Sequence, residues 1–323
     1  MKIVVIDDYQ NAFKTLKCFP KLAGHEVVVH TDTANDVESL AEKLKNAEAV
    51  VLTQQRSSFP RALVEKLPKL KLIGQTGRAA SHVDLEACTA KGIVVSAGGS
   101  GNPNATAELT WGLILSSLRN LPFEVNRLKN GQWQSTLGIG VNGKTLGIYA
   151  YGKIGSIVAA VGRAFGARVV CWGREGSTGR AKAAGFDVAK SREDFFAEAD
   201  IISLHLPLNK DTRGIVTRED LARMKPTARI VNASRSGLIA KGALVEALTA
   251  GRPGFAAVDV YDEEPVGANE PLTKLANVTC TPHLGYVTRE SYEEYYAVVV
   301  DDIVNFAAGK PSNVLNPDVF GKK

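Results

Sequence analysis

Three polar residues interrupt the ends of apolar runs in the second half of the chain: Arg235 after IVNAS, Glu264 in DVYDEEP and His283 in TPHLGYVT. Each alone has an ordinary reading. Arginines are usually solvated, a glutamate before proline often lies on a loop surface, and a histidine is often a satisfied core group. At the ends of successive strands the three point to one site. A carboxylate beside an imidazole fixes its tautomer, raises its pKa and equips it for general acid-base work, and an arginine grips an anion through a planar fork of donors.

A second constellation lies upstream. TLGIYA (145–150) runs into Tyr151, Gly152, Lys153, Ile154 and Gly155, and then into the apolar stretch SIVAAVGRAFG. This order reads as strand, tight glycine turn and helix. Gly152 would let the backbone approach a pyrophosphate, Gly155 would let the helix pack on the strand, and the amides near Lys153 and Ile154 would present a helix N-terminus to the anion. The first glycine of G-x-G-x-x-G is replaced by Ala150. An ordinary βα turn is the alternative reading. At the end of the next strand, where an acidic residue would hold the ribose 2′-hydroxyl of NAD, stand Gly173 and Arg174. The missing carboxylate removes repulsion against a 2′-phosphate and Arg174 offers donors for it, so the expected cofactor is NAD(P), with NADP slightly favoured over NAD. Glu175 keeps a ribose hydroxyl contact open.

These residues need a frame that brings strand ends to one edge. Short β-branched runs alternate with helical stretches from the start: KIVVI (2–6), EVVVH (26–30), AVVLT (49–53), KLIGQ (71–75) and IVVSA (93–97). A Gly, Asn and Pro cluster, SAGGSGNPN (96–104), is the natural crossing point, and a boundary near residue 99 follows. The next stretch, 105–133, is apolar on more than one face and reads as mostly helix with a break before Pro122, buried between domains or subunits. A second series of strands then runs through 145–150, 167–172, 200–206, 228–234, 254–261 and 277–283, and residues 289–310 read as one more helix. Alternation of this kind predicts an α/β fold with two doubly wound parallel-sheet (Rossmann-like) domains and a cleft between them.

Composition agrees with a globular two-domain chain. The 323 residues are 45% hydrophobic and 23% charged, and 39 Lys+Arg against 34 Asp+Glu give a net charge of +5. That charge is too small and dispersed for nucleic acid, yet suits small anions. No apolar run approaches the roughly 18 residues of a membrane span, so no membrane partner is expected. The start, MKIVVIDDYQ, turns acidic too early for a signal peptide, and a cytoplasmic location is expected. Cys18, Cys88, Cys171 and Cys280 lie far apart, unlike a zinc site or disulfide framework, and no metal is expected.

In order and motif the chain resembles the D-isomer-specific 2-hydroxyacid dehydrogenases. The resemblance covers nearly the whole length: LKLIGQTGRAASHVDLEACTAKGI (70–93), the glycine turn, SLHLPLNKDTRGIV (203–216), MKPTARIVNASRSGLI (224–239), AAVDVYDEEP (256–265) and NVTCTPHLGYVT (277–288). It implies a substrate-binding domain of residues 1–99 and 289–323 with an NAD(P)-binding domain, 100–288, inserted into it. It further implies that Arg235 binds the substrate carboxylate and polarises the 2-keto oxygen. Glu264 would pair with His283, and His283 would protonate the developing alkoxide as the nicotinamide delivers hydride.

Carried over in the same way, Gly77, Arg78, Ala79 and Ala80 correspond to the loop whose amides hold the carboxylate from the opposite wall, with Ala79 in place of a usual glycine. Thr106, Leu206, Pro207, Thr212, Ala233, Ser234, Asp259 and Gly285 match cofactor contacts, as do Arg235 and His283 on the nicotinamide side. His205 corresponds to pocket wall, not to the catalytic imidazole. Ser236 replaces the usual glycine after the arginine, and Tyr286, Trp133 and Arg56 are candidates for shaping specificity or for structural roles. No serine-sensing regulatory domain is expected after the last helix.

The resulting expectation is an oxidoreductase acting on a small anionic 2-keto or 2-hydroxy acid such as glyoxylate or hydroxypyruvate, assembled as a homodimer. Two other functions resemble this family: a dinucleotide-sensing corepressor, whose partner-binding tails are not expected here, and a phosphite-type anion dehydrogenase. Formate dehydrogenases place glutamine where Glu264 stands.

Overall fold

The β-branched runs become strands nearly one for one in the computed structural model, which describes residues 1–34, 36–99 and 101–321. Asn35, Lys322, Lys323 and Ser100, the last beside the expected junction at residue 99, lie outside the described residues. The chain divides into two compact units, Met1–Asn102 with Thr288–Lys323, and Pro103–Val287.

In the first unit five strands, β1 (Lys2–Ile6), β2 (Glu26–Val29), β3 (Ala49–Leu52), β4 (Leu72–Thr76) and β5 (Val94–Gly98), form one sheet in the order β2-β1-β3-β4-β5. Every neighbouring pair is parallel, Ile3 standing opposite Val27 on one side and Ala49 on the other. Strands buried on both faces need apolar side chains on both faces, which is why VVI and AVVL read as unbroken runs. On one face Val4, Ile6, Val50, Leu52, Ile73 and Val95 form a core with residues of α1 (Val37–Leu44), α2 (Arg61–Glu65) and α3 (Leu85–Ala90). Asp36 caps α1, its carboxylate accepting from the Ser39 amide at 2.7 Å.

The second unit opens with α4 (Pro103–Arg119) and α5 (Leu121–Lys129). The break falls at Asn120, which adopts a left-handed φ of 53°, just ahead of Pro122. The helix therefore ends before residue 133, and α5 buries none of its residues. Seven strands follow with their helices: β6 (Thr145–Tyr149), α6 (Lys153–Ala164), β7 (Arg168–Trp172), α7 (Glu175–Ala183), β8 (Asp187–Val188), α8 (Arg192–Glu198), β9 (Ile201–Leu204), α9 (Arg218–Arg223), β10 (Arg229–Asn232), α10 (Ala243–Thr249), β11 (Phe255–Val258) and β12 (Val278–Cys280). All pairings are parallel, in the order β12-β11-β10-β9-β6-β7-β8. The two-residue β8 gave no apolar run to read. Separate apolar clusters cover the two faces of this sheet, and α4 lies with α6 in one of them through Trp111, Ile114, Val158 and Ala159.

The last helix, α11 (Arg289–Ala307), belongs to the first unit and packs on β4 and β5. Gly74 makes this approach possible, because a Cβ there would stand 2.7 Å from Val299 Cγ1. Burial of Tyr296, Val299, Val300 and Ile303 closes the second face of the five-stranded sheet.

Candidate active site

Because β10, β11 and β12 are adjacent and parallel, the residues that follow them emerge at one sheet edge. Arg235 follows β10, Glu264 follows β11 and His283 follows β12. His283 Nδ1 lies 2.6 Å from Glu264 Oε2, with both side chains about four-fifths buried at 18% and 20% exposure. A short bond to a shielded carboxylate holds the ring in one orientation and commits Nδ1.

The backbone at His283 is itself unusual, with φ at +54°. Asp259 holds that turn in place. Its carboxylate accepts from Thr281 Oγ1 at 2.6 Å and from the amides of Leu284 and Gly285 at 2.7 and 2.9 Å. Burial pushes this carboxyl above its ordinary value, with the donors working against that shift. Gly285 in turn accepts from Thr106 Oγ1 at 2.8 Å, so two residues expected near the cofactor are joined to the histidine loop. The Tyr286 ring meets the His283 ring edge-on at 5.8 Å between centroids.

Arg235 is exposed at the end of β10, and its Nη1 donates to the Ser234 carbonyl at 2.7 Å. Asn232 Nδ2 donates to the Arg235 carbonyl at 2.8 Å, and Ser234 Oγ donates to the Leu204 carbonyl at 2.7 Å. Ala233 is half-buried against the core beside them.

The strand order reverses between β6 and β9, the point at which doubly wound sheets bind ligands. The glycine turn stands there. Ala150 has φ of +77°, so the residue occupying the first glycine position carries a Cβ in the left-handed region. A Cβ on Gly155 would collide with the Ala150 carbonyl oxygen and come within 3.2 Å of Ile148 Cγ2 and 3.3 Å of His205 Cδ2. Over Gly152 a Cβ would meet nothing within 4 Å, and this residue, the N-cap of α6, gives no side-chain cap to the first-turn amides of Lys153 and Ile154. Open space above uncapped amides fits a pyrophosphate. Two residues invisible to motif reading support the turn: Ser177 Oγ accepts from the Tyr151 amide at 2.7 Å, and Arg180 Nη2 donates to the Tyr151 carbonyl at 3.0 Å. They share one face of α7 at helical spacing.

Gly173 and Arg174 follow β7, and Arg174 Nη2 lies 3.4 Å from Asp211 Oδ2. Asp211 belongs to the loop after β9, where Thr212 is a structural staple: its hydroxyl donates to the Pro207 carbonyl at 2.6 Å and accepts from the Asn209 amide at 2.8 Å. Leu206 packs against the core and Pro207 is exposed. His205 is half-buried with its Nε2 shielded, and desolvation lowers its pKa to about 4, so the ring is neutral beside Gly155.

In the first unit, Gly77 follows β4 with φ of +86°, and its amide donates to the Gly98 carbonyl at 2.8 Å. Arg78 and Ala79 are exposed, whereas the Ala80 side chain lies in the core. Arg56 is half-buried and contributes its charge to Asp7, which accepts from Ser57 and Thr33. Trp133 is 76% exposed.

Residues 111–285 match the family described as D-isomer specific 2-hydroxyacid dehydrogenase, NAD binding domain. A glyoxylate reductase of Aeropyrum pernix is 36% identical over 292 residues, covering 87% of each chain. A D-3-phosphoglycerate dehydrogenase of Methanocaldococcus jannaschii is 37% identical over 98% of this chain, which spans 59% of that protein's length. A solved structure from Ralstonia solanacearum, provisionally named a D-3-phosphoglycerate dehydrogenase oxidoreductase, is 46% identical with a TM-score of 0.96, covering 99% of this chain and 98% of that one. The chain belongs to the D-isomer-specific 2-hydroxyacid dehydrogenase family.

Proposed function

We propose that the protein reduces small 2-keto acids to D-2-hydroxy acids, and runs the reverse reaction, with a nicotinamide cofactor. The observation that carries this reading is the 2.6 Å pair of His283 and Glu264 at the sheet edge that also presents Arg235. Arg235 binds the substrate carboxylate and polarises the keto oxygen. His283 gives a proton from Nε2 to the oxygen in reduction and takes it back in oxidation, and Glu264 stabilises the charged ring. The amides of Arg78, Ala79 and Ala80 are proposed to bind the carboxylate as well. When bound, the nicotinamide supplies or accepts the hydride. Its pyrophosphate would rest on Gly152, Lys153, Ile154 and Gly155, with Thr106, Gly173, Arg174, Leu206, Pro207, Thr212, Ala233, Ser234, Asp259 and Gly285 as further contacts. Family relatives that act as glyoxylate reductase and phosphoglycerate dehydrogenase support glyoxylate and hydroxypyruvate as first substrates to test.

The deciding experiment is a panel of 2-keto acids, with phosphite as an outlier, assayed with both cofactors. Oxidation of NADPH or NADH by glyoxylate or hydroxypyruvate is expected, and turnover of phosphite alone would overturn the reading. NADP preference is proposed from Arg174 and from the absence of an acidic residue at Gly173, although Glu175 follows the arginine in sequence and Asp211 stands beside its guanidinium. Arg174→Ala should raise the KM for NADPH by about 10- to 100-fold, the scale of a charge-assisted contact, and that for NADH far less. Equal losses would remove the argument. Asp211 competes for the same guanidinium, so Asp211→Asn should lower the KM for NADPH.

A homodimer is proposed from the exposed apolar side chains of α5 and the segment after it. Leu121, Phe123, Val125 and Leu128 are 45 to 57% exposed and Leu137 is 96% exposed, more than an isolated surface favours. Leu128→Glu combined with Leu137→Glu should convert a dimer to a monomer in sedimentation velocity; a monomeric wild type would refute the assignment. A cytoplasmic location is proposed on the unpaired state of Cys18, Cys88, Cys171 and Cys280.

A further inference from the structure

We propose that Tyr261 is a positioning residue that fixes Arg235, Glu264 and His283 relative to one another, an inference that rests on the catalytic reading of those three residues. Its three polar groups each reach a different segment. The Tyr261 carbonyl accepts from Ser236 Oγ at 3.0 Å, which ties down the residue next to Arg235. The Tyr261 amide donates to Glu264 Oε1 at 3.0 Å, the oxygen not engaged by His283. The Tyr261 phenol donates to the Thr281 carbonyl at 3.0 Å, the same carbonyl that accepts the His283 amide at 3.1 Å. One residue at the end of β11 thus spans the turns that follow β10 and β12.

Packing and hydrogen bonds hold this arrangement together: Asn232, Ser236 and Tyr261 line a cavity of about 230 Å³, and directional hydrogen bonds fix the polar groups among them. Tyr261 is nevertheless 7% exposed, and burial pushes its phenol far above the ordinary range, so the hydroxyl stays a donor at every working pH. Ser236 is the position at which a glycine is usual in the family pattern, and a glycine there would leave the Tyr261 carbonyl without this donor.

The two side-chain arms of the bracket make separable predictions. Tyr261→Phe removes the bond to the Thr281 carbonyl together with the hydroxyl's contact to the Cys280 thiol, and should lower kcat by about threefold to tenfold, the scale of one hydrogen bond, with the KM for the keto acid little changed; Cys280→Ala, which removes only the thiol contact, should leave kcat near wild type. Ser236→Ala frees the Arg235 turn and should raise the KM for the keto acid by a similar factor with kcat nearly kept. A purely structural role would lower the melting temperature of both variants and leave that split absent. A second readout needs no turnover: the low-field proton NMR resonance of the His283 Nδ1 proton shared with Glu264 should shift or broaden in Tyr261→Phe. Unchanged kcat together with an unchanged resonance would overturn the proposal. If the wild type reduces no 2-keto acid, the catalytic reading falls instead, and the resonance still reports whether Tyr261 sets the pair.

Discussion

Replacing His283 is expected to lower kcat for 2-keto acid reduction by about 10²- to 10⁴-fold, the usual contribution of a positioned general acid. The size follows from how little else near the reacting oxygen can give a proton. Among the described histidines, His205 is half-buried and neutral at the glycine turn, and Arg235 holds its protons too tightly to donate one. The choice of replacement matters because His283 sits at φ of +54°. Alanine is strained there, whereas asparagine tolerates the left-handed region, so His283→Asn removes the imidazole with less disturbance of the turn that Asp259 anchors. Circular dichroism and thermal melting separate loss of chemistry from loss of fold. A folded His283→Asn protein with wild-type turnover would end the assignment of His283 as the acid.

Much of the frame was open to reading from residue types. Short runs rich in β-branched residues, such as KIVVI and AVVL, fit strands buried on both faces, and they became β1 and β3. The glycine turn was legible because backbone crowding at Gly155 is a property of the residue itself. What escaped lies in contacts between distant positions. Tyr261 looks like one more aromatic in DVYDEEP, and its role rests on the Ser236 hydroxyl and the Thr281 carbonyl, which only the adjacency of β10, β11 and β12 brings to it. Asp211 pairs with Arg174 across 37 positions, so the donor expected to await a 2′-phosphate already has an anionic neighbour. The break before Pro122 in the stretch 105–133 was legible from the proline, whereas composition cannot tell a core-facing helix such as α4 from α5, which buries none of its residues within this chain.

Arg235→Ala should reduce kcat/KM for a 2-keto acid by about 10²- to 10⁴-fold, the loss expected when two charge-assisted hydrogen bonds to a carboxylate and a developing oxyanion are removed. Its side chain is exposed at the end of β10 and supports no core, so truncation should leave the melting temperature close to that of the wild type. Arg235→Lys restores the charge without the planar fork and should recover only part of the loss. The two roles assigned to the guanidinium can be told apart by the substrate. Gripping the carboxylate raises KM when lost, and polarising the keto oxygen lowers kcat. Glycolaldehyde carries the carbonyl of glyoxylate without its carboxylate, so the wild type should strongly prefer glyoxylate and Arg235→Ala should lose most of that preference. A variant that is slower yet retains the full preference would mean that the carboxylate is held elsewhere, with the amides of Arg78, Ala79 and Ala80 the first place to look.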